Sequence, residues 1–76
     1  MENEIKYIQN TLWAIYKEFL LDFNVREYTR KASELVNRYD GNKELLLFSQ
    51  NLVICWTPVI NRLAENHRNE VANGNC

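Results

Sequence analysis

The side chains able to do chemistry in this sequence are few, and their spacing rarely lets them cooperate. There is one histidine, His67, and there are two cysteines, Cys55 and Cys76. Nucleophilic catalysis needs a base within hydrogen-bond reach of the nucleophile and a carboxylate to orient that base. No serine or cysteine sits near His67 with such support. A zinc site would show C-x-x-C or H-E-x-x-H spacing, and neither occurs. Gly41 and Gly74 are isolated, so no glycine-rich loop can cradle a phosphate. Glu18 and Asp22 stand four apart on one helix face, but acid–base work would need an apolar pocket to split their pKa values. They read as solvent-facing charges. Cys55 reads as a buried small hydrophobe, because a reactive thiol needs an electropositive setting and no charged residue lies within six positions of it. The inventory argues against an enzyme, and no cofactor or metal is expected.

What remains is a question of which elements the chain builds. Hydrophobic residues make up 46% of the 76, with two glycines and one proline, which is too apolar for a disordered chain and enough for one small domain. Cysteines this few and this far apart do not make a disulfide framework. No charged n-region and apolar h-region open the sequence, and no apolar run reaches about 18 residues. The expectation is a reduced, cytosolic protein without a membrane partner.

Ile5, Ile8, Leu12, Ile15, Tyr16, Phe19 and Phe23 recur at steps of three and four, which predicts a helix over about 3–23 with one apolar face, widened by Trp13 and Leu20. Asn24 follows as an N-cap, with Glu27 placed to reach back to its N–H and Phe23 and Tyr28 placed as a hydrophobic staple. A second helix over about 25–39 then buries Val25, Tyr28, Ala32, Leu35, Val36 and Tyr39. On its surface, Glu27–Lys31, Arg30–Glu34 and Glu34–Arg38 are spaced for ion pairs. Gly41 is placed to close this helix in the left-handed conformation, and Asn42 to cap the next. Short connections force antiparallel neighbours.

The third segment, about 43–68, carries Leu45, Phe48, Leu52, Trp56, Val59 and Leu63 on its expected core face. This phase crosses Pro58 without a slip, which favours one kinked helix, with the Thr57 hydroxyl bonded back to the carbonyl of Val53. The alternative is two helices, with Thr57 as N-cap and Pro58 as first helical residue. On the opposite side stand Leu47, Asn51, Ile54, Pro58 and Asn61, again at steps of four and three. Either the third helix lies between the other two and buries both sides, or this face is offered to a partner. The fold expected is an all-α three-helix bundle over 1–68, with a flexible polar tail over 69–76.

W-T-P-V-I-N-R-L-A (56–64), with L-W-A-I-Y-K-E-F-L (12–20) upstream, resembles small uncharacterised helical proteins of prophages and integrative elements in Gram-positive gut bacteria. The resemblance spans most of the first 66 residues and rests on packing motifs. It implies a bacterial cytosol and an accessory role, and carries over no activity and no functional residue.

Two functions follow as expectations. The first is a non-enzymatic interaction module working through Leu47, Asn51, Ile54, Pro58 and Asn61, as a homodimer or by capturing another protein. The second is a small nucleic-acid-binding regulator using Arg26, Arg30, Lys31 and Arg38 on the second helix. The interleaved Glu27 and Glu34 argue against phosphate binding there, since a nucleic-acid footprint is normally a patch of one sign.

Overall fold

The computed structural model describes the backbone of residues 1–74 and the side chains of residues 1–70. Within it the chain is all-helical: α1 (Glu2–Asp22), α2 (Val25–Asn37) and α3 (Lys43–Gly74) run up, down and up. α1 and α3 share their ends. Met1 and Glu4 stand beside Leu45 at one end, and the Phe23 ring stacks on His67 at the other.

α1 starts with Glu2 and Glu4 in its first turn, where carboxylates favour the positive end of the helix dipole. It buries Ile8, Leu12, Ile15 and Phe19. Trp13 and Leu20 do not join them and stay exposed. The helix closes on Phe23, whose φ of 55° and ψ of 36° are left-handed, with its N–H bonded to the Phe19 carbonyl. A left-handed residue other than glycine costs about 1–2 kcal/mol. Aromatic packing offsets that cost. The Phe23 ring lies edge-on to Phe19 at 5.3 Å and stacks on His67 at 4.2 Å. The expected staple to Tyr28 passes through Phe19 instead, which sits 6.0 Å from the Tyr28 ring.

Half of the expected capping box forms. The Asn24 side chain accepts from the Glu27 N–H at 3.1 Å, but the Asn24 N–H is taken by Asp22, because the Glu27 carboxylate turns away to Arg30. Asn24→Ala removes the side-chain acceptor of the Glu27 N–H and is expected to cost about 1 kcal/mol, read as a lowered melting temperature.

α2 ends at Asn37, two residues before the expected boundary, and the chain turns through bonds from Tyr39 N–H to the Val36 carbonyl and from Asp40 N–H to the Asn37 carbonyl. Gly41 is not left-handed, contrary to expectation. Tightening the last turn with i→i−3 bonds satisfies those carbonyls without a left-handed residue. Asn42 caps α3 as expected, accepting from the Leu45 N–H at 3.2 Å.

α3 is one helix that continues through Pro58. Thr57 donates to the Val53 carbonyl at 2.9 Å, next to the Ile54 carbonyl that Pro58 cannot serve. The helix runs past Arg68 to Gly74, farther than its apolar periodicity. The remainder of the expected tail, residues 75–76, lies outside the described residues.

The core side of α3 is rotated from the expected one. Leu45, Ser49, Ile60 and Ala64 are buried, Phe48, Leu52, Val53, Trp56 and Leu63 are half-buried, and Val59 is 47% exposed. On an ideal helix Ser49, Trp56 and Ile60 fall within about 40° of one another. Ser49 and Ala64 are small side chains on the buried side, and larger, half-buried neighbours flank them. The Ser49 hydroxyl is satisfied by the Leu46 carbonyl at 3.0 Å. The same rotation puts Cys55, expected to be buried, on the exposed surface. Burial of Tyr28 pushes its phenol pKa up.

Candidate functional site

The rotation of α3 decides the status of its outer face. Leu47, Asn51, Ile54, Pro58 and Asn61 are all exposed, Ile54 by 64% and Leu47 by 48%. The helix is therefore buried on one side only and is not sandwiched between its neighbours. No charged residue occurs between Glu44 and Arg62. Over roughly 25 Å of helix the solvent-facing positions are thus uncharged, where an exposed helix normally carries its charges. Ile54 also forms one lip of a groove between α2 and α3, with Val36, Gln50 and Val53 along it.

The basic side of α2 is occupied from within. The Arg30 guanidinium is held by Glu27 at 2.7 Å and by Glu34 at 2.8 Å. Its hydrogen bond to Glu27 raises the Arg30 pKa, and the same bond holds the Glu27 carboxyl below the usual carboxylate range. Lys31 does not pair with Glu27 as expected. It crosses to Glu18 of α1, and that hydrogen bond raises the lysine pKa. Arg38 does not reach Glu34 and instead covers the Tyr7 ring at 4.7 Å, donating to its hydroxyl at 2.9 Å. Arg26 is exposed and enters no ion pair among the described residues. Glu18 and Asp22 likewise serve the frame, one pairing with Lys31 and the other accepting from the Asn24 backbone.

A second apolar surface was not read from the sequence. Trp13, 51% exposed, leans on Tyr16 with ring centroids 5.2 Å apart, and Tyr16 lies 4.8 Å from Trp56. Cys55 and Val59 complete a groove between α1 and α3. The signal was present, since Trp13 and Tyr16 are three apart and Val59 is three from Trp56, but apolar spacing alone assigns such residues to a core.

Comparison with protein-family models, curated proteins and solved structures found no match to this chain. No cluster of three or more metal-ligating side chains occurs among the described residues, and no helix there is long and apolar enough to cross a membrane.

Proposed function

We propose that this protein is a non-enzymatic helical interaction module that self-associates through the outer face of α3. The observation that carries the reading is the exposure of Leu47 and Ile54 on a face without charge. Burying that face removes apolar area from water at about 25 cal/mol per Å². A neutral face is also suited to pairing with a copy of itself, because a symmetric contact sets the same surface on both sides and like charges there would repel. The charged ends, Lys43 and Glu44 at one and Glu65 and Arg68 at the other, carry both signs and permit an antiparallel pairing of two α3 helices. The basic side of α2 is not used in this reading, because Arg30, Lys31 and Arg38 are engaged by Glu27, Glu34, Glu18 and Tyr7. Accessory work in the cytosol for a bacterial mobile element belongs to the same proposal and rests on the resemblance at residues 12–20 and 56–64.

Light scattering over a dilution series tests the proposal. The wild-type chain is expected to approach twice its monomer mass of 9.1 kDa as concentration rises. Ile54→Glu is expected to stay monomeric with unchanged helicity, because it sets two carboxylates against each other across the contact. A wild-type chain that stays monomeric at every concentration, or an Ile54→Glu variant that still dimerises, overturns it.

A further inference from the structure

The groove between α1 and α3 lies on another side of α3 from the face proposed for self-association. α1 and α3 both pack on α2 and approach each other less closely than either approaches it. The space between them is bridged by aromatic rings, Trp13 of α1 lying 6.1 Å from Trp56 of α3 with Tyr16 against both. Two helices with an apolar floor between them offer the shape into which a third helix lays its apolar face. Trp13 and Val59 are half-exposed along that floor, and tryptophan supplies a large contact area at small cost in conformational entropy.

The charges around the groove indicate what kind of helix fits. On an ideal helix Lys6 and Lys17 fall within about 40° of Trp13, while Glu4, Glu18 and Asp22 point away by about 140° or more. On α3, Arg62 stands two turns beyond Cys55 on the same side. None of Lys6, Lys17 and Arg62 takes part in an ion pair among the described residues. The acids on this side, Glu2 and Glu44 where α1 and α3 begin and Glu70 near the far end of α3, stand at the two ends and not along the aromatic stretch between them. Most of the groove thus has aromatic walls and a cationic rim.

We propose that this groove is a docking site for an amphipathic helix of another protein, one with an apolar stripe flanked by glutamates or aspartates. A second copy of this chain is the poorer occupant, because the exposed apolar face of its α3 brings no carboxylate to Lys6 and Lys17. The site does not depend on self-association, so either proposal stands if the other fails.

Both tryptophans of the chain line the groove, so their emission reports its occupancy. The probe is a synthetic peptide of roughly 18 residues, long enough to hold a helix, with leucine at the a and d positions of each heptad and glutamate at e and g. Its counterpart carries lysine in place of glutamate. The glutamate peptide is expected to shift tryptophan emission to the blue and to saturate, and the lysine peptide to leave it unchanged. Lys6→Glu combined with Lys17→Glu is expected to weaken binding by about tenfold, with binding falling as salt is raised. Arg26→Glu, a charge reversal away from the groove, is expected to leave it unaltered, and circular dichroism of each variant confirms the fold. The proposal is overturned by a glutamate peptide that leaves emission unchanged, by equal binding of both peptides, or by a double variant that binds as well as the wild type. A response to anionic lipid vesicles and to neither peptide would overturn it in favour of a membrane surface.

Discussion

Ile60→Ala will cost the fold about 2–5 kcal/mol, while Val59→Ala, one residue away, will cost less than about 1 kcal/mol. Ile60 is 1% exposed and sits in the cluster formed with Ile8, Leu12, Leu35 and Ala64. Truncating it removes buried apolar atoms and leaves a cavity that three helices cannot close together. A domain of this size rarely holds more than roughly 3–5 kcal/mol in total, so the Ile60 variant is expected to be largely unfolded at room temperature. Val59 faces solvent along the aromatic groove and has little burial to lose. Urea unfolding followed by circular dichroism separates the two variants. The reverse order would mean that α3 is rotated from the position described, with Val59 inward.

Pro58→Ala is expected to raise stability by about 1–3 kcal/mol. Proline inside a helix costs about 3 kcal/mol relative to alanine, through the missing donor and the clash with the preceding turn. Pro58 is exposed, so its ring contributes little packing that alanine would forfeit. The substitution lets residue 58 donate to the Ile54 carbonyl. At about 4–8 °C per kcal/mol for a chain of this length, thermal melting resolves the change readily. A lowered melting temperature would mean that the local geometry at Pro58 is required for α3 to lie against its neighbours, with α3 geometry worth more than the lost hydrogen bond.

The elements were legible because their signals are local. Asn24 and Asn42 each cap the helix that follows, Thr57 bonds back to Val53, and the apolar phase that crosses Pro58 belongs to one helix. The departures come from interactions that spacing does not register. Ser49 and Ala64 lie on the buried side of α3, yet a serine and an alanine count for little in an apolar pattern, so spacing alone centres the core on Leu52 and Val59. Trp13 and Leu20, apolar and seven apart, widen the apolar face of α1 by spacing, although both are exposed. Lys31 has an acid four residues before it and pairs with one thirteen residues away on another helix, which only the packing of α1 on α2 brings near. The left-handed residue is Phe23 and not Gly41, because ring stacking on His67 offsets a conformational cost that glycine would have avoided.

The outer face of α3 was legible as a set of residues, Leu47, Asn51, Ile54, Pro58 and Asn61, but its exposure was not. Two buried sides and one buried side give the same periodic pattern, and the arrangement of three helices decides between them. The aromatic groove was invisible for a related reason. Its walls come from two helices that are not neighbours in sequence, and it exists only because α1 and α3 stand apart.

The central claim, that two copies meet through the outer face of α3, is tested most directly by spin labels on that face. In a background of Cys55→Ser and Cys76→Ser, a label at Asn51→Cys is expected to show strong dipolar coupling between copies at concentrations where the mass doubles. A label at Asn10→Cys on α1 is expected to show much weaker coupling. No coupling at position 51, or stronger coupling at position 10, would contradict the account and move the contact to another surface.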